Sequence, residues 1–154
     1  MKRMCILFLF LGWLGASAQQ KETINWITFD QLDDSLSAKP KKVFIDFYTD
    51  WCTYCRKMDK AVFTKPEVVK MLNESYYAVK MNAESMDTVW FEGQAFLNDQ
   101  IGKNRKPLHQ LAQLLALREG EFAPPVMLVM DAQFAIERRY FQYLDSKKLL
   151  KALR

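Results

Sequence analysis

Two cysteines three residues apart, Cys52 and Cys55, follow closely on an apolar run, Val43-Phe44-Ile45-Asp46-Phe47-Tyr48. No other stretch constrains the chain as much. A run apolar on both faces predicts a central strand covered on each side. Trp51-Cys52-Thr53-Tyr54-Cys55 predicts a helix that begins at or near Cys52. At a helix start, unpaired backbone N–H groups and the macrodipole favour a thiolate. Cys55 falls one turn further on and on the same face, in reach of a mixed disulfide held on Cys52. The same spacing also occurs as half of a zinc site, so the rest of the chain has to decide.

The N-terminus narrows the choice. Lys2 and Arg3, then an apolar stretch from Met4 to Leu14, then Ala16-Ser17-Ala18, form the three regions of a secretory signal. The apolar stretch is short for a membrane span, although retention as an uncleaved anchor is the alternative. Cleavage after Ala18 predicts a signal peptide over 1–18 and a single domain over 19–154, placed in the periplasm or otherwise exported. Cys5 leaves with the signal, so Cys52 and Cys55 become the only cysteines. One pair this close in sequence closes too small a loop to restrain the unfolded chain much, which favours a reactive pair over a structural one. Zinc is disfavoured because a structural site takes four ligands and only His109 offers a further strong donor. Without Lys2 and Arg3 the charge balance is 20 basic against 18 acidic side chains, which gives no electrostatic case for nucleic acid.

Periodicity sets the remaining elements. Strands are expected at Ile24–Ile27, Val43–Tyr48, Tyr76–Met81, Val126–Met130 and Phe134–Tyr140. Helices are expected over Asp30–Ala38, Cys52 to about Phe63, Leu108–Leu117 and Ser146–Leu153. Thr64-Lys65-Pro66-Glu67 has the form of a capping box that restarts a helix, separate or kinked at the proline. The segment 84–105, with Trp90, Phe91, Phe96, Leu97 and Ile101, is expected to be a helical insertion. The order predicts a mixed sheet between helices, with the final hairpin antiparallel.

The run from Val43 to Cys55 resembles the active-site strand and helix start of the thioredoxin superfamily. Arg56-Lys57-Met58 and Phe63-Thr64-Lys65-Pro66-Glu67-Val68 resemble more narrowly the C-terminal domain of the DsbD electron transporter and related exported thioredoxin-like proteins. Val79-Lys80-Met81-Asn82 and Pro125-Val126-Met127-Leu128-Val129 extend the match over roughly 24–83 and 106–153. The resemblance implies a thioredoxin-like α/β fold, with Cys52 as nucleophile and Cys55 as resolving thiol. It implies a buried Asp46 that takes the proton from Cys55, near Lys80. By composition alone Asp46 reads instead as a solvent-facing strand residue. Pro125 matches the family's cis-proline before the last buried strand, so Ala123, Pro124 and Pro125 are expected to line a groove for an extended substrate. Trp51 and Tyr54 are expected to border the sulfur and touch the partner, although Trp51 reads equally well as scaffold. Thr53-Tyr54 departs from the family's Gly-Pro, and Phe141-Gln142-Tyr143 stands where the family often has glycine.

These features predict a protein-disulfide reductase acting on disulfide-containing proteins, with no metal, flavin or nucleotide in this chain. A membrane thiol protein is expected as electron donor. An oxidase or isomerase using the same site, a copper-binding module and a protein-interaction domain are the alternatives. His109 and the methionines read as packing.

Overall fold

The computed structural model describes residues 22–154; the signal segment and its cleavage site lie outside the described residues. In chain order the elements are β1 (Trp26–Ile27), α1 (Phe29–Ala38), β2 (Lys42–Tyr48), α2 (Thr53–Ala61), α3 (Pro66–Ser75), β3 (Tyr76–Asn82), β4 (Val89–Phe91), β5 (Gln94–Phe96), α4 (Gln110–Leu115), β6 (Val126–Met130), β7 (Ile136–Tyr140) and α5 (Ser146–Ala152). Five strands form one sheet in the order β1-β3-β2-β6-β7. The first three are parallel, β6 is antiparallel to β2, and β7 is antiparallel to β6.

β2 is central because Val43 to Phe47 are all buried, which no edge position allows. Alternation along it builds two cores. Val43, Ile45 and Phe47 join Val79, Met81, Val126 and Leu128 beneath α1 and α4. Phe44 joins Ala78, Met127 and Val129 beneath α2, α3 and α5. Asp46 follows Phe44 by two residues and so belongs to the α2 side.

Three local expectations are corrected. The capping box is absent at Thr64: α3 is capped by Lys65 with no side-chain bond and starts on Pro66. The Thr64 hydroxyl instead donates to the Lys60 carbonyl at the end of α2. A box does form at Thr28, whose side chain accepts from the Gln31 amide while Gln31 accepts from the Thr28 amide. The helix expected over Leu108–Leu117 is shorter, because His109 caps its start and Ala116 its end; Leu114, expected on its apolar stripe, is exposed.

The third correction is the insertion, which is not helical. β4 and β5 form a two-stranded hairpin turned at Glu92 and Gly93, both with positive φ, the backbone of a tight two-residue hairpin loop. Carboxylates of α1 hold it: Asp30 accepts from the Trp90 amide and Asp33 from the Glu92 amide. Phe91 closes the contact edge-on against Phe29 and Phe134. Outward-facing strand amides that α1 can satisfy, plus one buried aromatic, favour the extended form over a helix.

Buried Asn98 ties the base of this segment, donating to the carbonyls of Ser85 and Pro107 and accepting from the Gln100 amide. Asn98→Leu is expected to lower stability by about 1–3 kcal/mol, because it strands two partly buried carbonyls. Urea unfolding checks this; an unchanged midpoint means the carbonyls find water.

Candidate functional site

The topology gathers four segments at one end of the sheet. β2 ends there at Tyr48, and antiparallel β6 begins there, with Val126 opposite Phe47. β3 ends there too, and the Ala83 amide donates to the Tyr48 carbonyl. The His109 amide then donates to the Ala83 carbonyl. The loop carrying Cys52, the stretch around Glu84, the start of α4 and the loop before Pro125 therefore share this end.

Cys52 is the N-cap of α2, and its sulfur accepts from the Cys55 amide at 3.0 Å. The two cysteines are joined as a disulfide with Cα atoms 5.3 Å apart, and both are buried. A backbone N–H aimed at a sulfur on the positive end of a helix stabilises a thiolate when the pair is reduced.

Asp46 is buried, and its Oδ1 has no hydrogen-bond partner. Its register partner on β3 is Lys80, whose ammonium lies 3.6 Å from Asp46 Oδ2. Burial pushes the carboxyl pKa up to about 7; Lys80 opposes the rise and Asp59 adds to it. Lys80 also bonds Asp59 of α2, and the rings of Trp26, Tyr48 and Phe63 surround its ammonium. Asp46 is thus a buried carboxyl with a pKa near neutrality on the side of the sheet that α2 covers. Asp59 went unread in the sequence, where it is one charged residue on an exposed helix turn; its tie to Lys80 appears only once α2 crosses the sheet.

The rim is aromatic. Trp51 and Tyr54 are both exposed. The Trp51 indole N–H donates to both Glu84 carboxylate oxygens, and the Lys106 ammonium stands 4.1 Å over the ring. Tyr54 lies 6.0 Å from Tyr143, between ring centroids, with the Lys57 ammonium over Tyr143. Pro125 is buried directly before β6, the Pro124–Pro125 peptide is cis, and Ala123 is exposed. His109 is a buried cap of α4: Nδ1 accepts from the Leu111 amide, and Nε2 faces the Asp87 carbonyl. Desolvation lowers its pKa, which keeps the ring neutral. Glu84 and Lys106 also went unread, having no local signal.

Comparison with known proteins agrees with this arrangement. The profile of the thioredoxin-like domain family matches residues 29–154. The thiol:disulfide interchange protein DsbD of Salmonella typhi is 38% identical over 63 residues, which cover 38% of this chain. The chain spans only about a tenth of the length of that relative, 11%. A thioredoxin from Thermus thermophilus superposes with a TM-score of 0.60 at 18% identity, covering 86% of this chain and 85% of its own. The oxidised C-terminal domain of Neisseria meningitidis DsbD gives 0.53 at 22% identity, covering 79% and 86%. At those identities both show the fold alone. The sheet order, the cysteine pair capping α2 and the profile over most of the chain place this protein in the thioredoxin-like domain family, with Cys52 and Cys55 as its disulfide-forming pair.

Proposed function

We propose that the chain is an exported oxidoreductase that works mainly as a reductase of protein disulfides. The observation that carries this reading is the Cys52–Cys55 pair capping α2, with an amide aimed at the Cys52 sulfur. In the reduced protein, the Cys52 thiolate attacks one sulfur of a substrate disulfide. A Cys52–substrate disulfide forms, the substrate S–S bond breaks, and the other substrate sulfur leaves as a thiol. Cys55 gives its proton to Asp46 and attacks the Cys52 sulfur. The Cys52–Cys55 disulfide closes and the second substrate thiol departs. Two electrons have passed to the substrate, so each turnover needs an external dithiol donor, assigned here to a membrane thiol protein.

Pro124, Pro125 and Ala123 offer the edge along which an extended substrate lies, with backbone bonds carrying much of the contact. Trp51 and Tyr54 flank it. The Lys2-to-Ala18 pattern supports export, as does the partial likeness to a protein named for thiol:disulfide interchange. Alkylation of thiols in intact cells tests the direction. A Cys52–Cys55 pool held mainly as dithiol is expected. A pool held fully as disulfide, with reduced secreted proteins trapped on Cys52, makes the protein an oxidase instead.

A further inference from the structure

We propose that the cleft between the edge strand β7 and α5, lined by Arg138, Tyr140, Gln142, Lys148 and Lys151, docks an extended acidic segment of a partner protein. The inference rests on the oxidoreductase reading above in one respect: the segment belongs to a protein that exchanges electrons with Cys52.

Charge is unevenly placed along the chain. Residues 136–154 carry six basic side chains against two acidic, whereas residues 19–135 carry 14 against 16. All six, Arg138, Arg139, Lys147, Lys148, Lys151 and Arg154, are exposed. Both acids are engaged. Glu137 pairs with Lys42 at 2.8 Å, and Asp145 caps α5 by accepting from the Lys148 amide. The Lys148 ammonium lies 4.0 Å from Asp145. Among the described residues, the other five basic side chains have no carboxylate within ion-pair distance.

Strand and helix periods bring three of these cations together. Arg138 and Tyr140 are two apart on β7 and share one face, and Lys148 and Lys151 are three apart on one side of α5. A bond from Arg138 to the Ala152 carbonyl, at 2.6 Å, fixes the guanidinium against α5. The cavity between them measures about 460 Å³. Arginines on an edge strand deter pairing with other edges, but that does not account for Lys148 and Lys151, which belong to the helix. Lysines on a helix surface are ordinarily solvated singly, whereas these two share a cavity with Arg138, where like charges repel.

An anionic occupant relieves that repulsion. The cleft follows β7, whose five residues span roughly 16 Å, more than one carboxylate or phosphate needs. β7 forms an edge of the sheet, so its outward amides and carbonyls face away from β6 and can receive an extended chain. A second copy is disfavoured, because Arg138 and Arg139 would meet their own counterparts across a twofold axis. A flat lipid surface meets cations that stand out from a protein, whereas Arg138, Lys148 and Lys151 line a concavity. The cleft also ends near the cysteines: Tyr140 pairs with Met127 of β6, Val126 lies opposite Phe47, and Tyr143 sits beside Tyr54. A segment seated there leads to the rim of the cysteine pair.

The test measures fluorescence anisotropy of a labelled peptide of alternating Glu and Thr on the full mature chain, against a matched peptide with Gln for Glu. The acidic peptide is expected to bind about tenfold tighter, with the advantage fading as salt rises. Lys148→Gln with Lys151→Gln is expected to weaken it about tenfold. Lys103→Gln with Arg105→Gln, the same change of charge outside the cleft, is expected to shift it by less than about twofold. Bound acidic peptide is also expected to slow amide hydrogen exchange in β7. Equal affinity for both peptides, equal losses in the two double variants, or unchanged exchange in β7 overturns the proposal. So does tighter binding to phosphatidylcholine vesicles containing phosphatidylglycerol than to the peptide, which makes the cations a membrane contact. Insulin reduction with a chemical thiol as donor is measured on the same chain. Reduction without peptide binding removes the docking site alone; peptide binding without reduction counts against the oxidoreductase reading.

Discussion

Conversion of Cys52 to serine is expected to reduce disulfide reduction to the uncatalysed background. A hydroxyl in the same place accepts the Cys55 amide but forms no disulfide, so no mixed intermediate exists. Cys55→Ala has the opposite signature: the first attack proceeds, and the mixed disulfide on Cys52 persists because nothing resolves it. Insulin reduction with a chemical thiol as donor reads the first effect. Non-reducing electrophoresis of the second variant reads the accumulated adduct. The two sulfurs are inequivalent by position, since Cys52 caps the helix and accepts the amide while Cys55 lies within it. If the adduct forms on Cys55 in a Cys52→Ser chain as readily as on Cys52 in a Cys55→Ala chain, the assignment of roles is wrong.

Asp46→Asn is expected to separate catalysis from stability. The carboxyl titrates near 3.8 unfolded and about 7 folded. Between those values the native state binds one more proton than the unfolded state, so stability falls as pH rises. The stability of the protonated form is fully present below pH 4 and is lost as pH passes through about 7. The rise from 3.8 to about 7 corresponds to about 4 kcal/mol above pH 7 as an order of magnitude. Asparagine stays neutral, and Lys80 keeps Asp59 as a partner. The variant is therefore expected to melt above the wild type at pH 8 and to converge with it near pH 4. Its resolving step is expected to slow by about 10²-fold near pH 7, the usual contribution of a positioned base. The wild-type rate should break near pH 7, and the variant should lack that break. Stopped-flow release of thionitrobenzoate from the Cys52 adduct measures this step. An unchanged rate and pH profile sinks the role of Asp46 as base; a melting gap that does not grow with pH sinks the burial argument.

Asp46 also illustrates what local pattern conveys. The run around it, apolar on both faces, and the resemblance together placed it on a buried strand, and the resemblance placed Lys80 near it. Neither revealed Asp59, because the partner of a helix surface charge depends on how that helix crosses the sheet. The hairpin at Val89–Phe96 failed for a similar reason. Trp90, Phe91, Phe96 and Leu97 have spacings that a helix also accommodates, and Glu92-Gly93 is a weak turn signal beside Asn-Gly. What settles the segment is two α1 carboxylates from residues 59 and 60 positions earlier. The false capping box at Thr64 shows the limit of a four-residue motif: instead of accepting from an α3 amide, the hydroxyl donates to a carbonyl of the preceding helix.

The sequence by itself determined the strand–cysteine–helix junction, the parallel core strands and the proline before the last buried strand. The junction and the proline depend on residues within a few positions of one another, and the parallel direction follows from two strands joined by a helical crossover. Only the tertiary structure decided what surrounds the reactive pair. Trp51 meets Glu84 across 33 residues, Lys80 bridges Asp46 and Asp59, and Tyr143 comes beside Tyr54. These contacts arise from strand register and helix packing, which act between segments and leave no periodic trace along the chain.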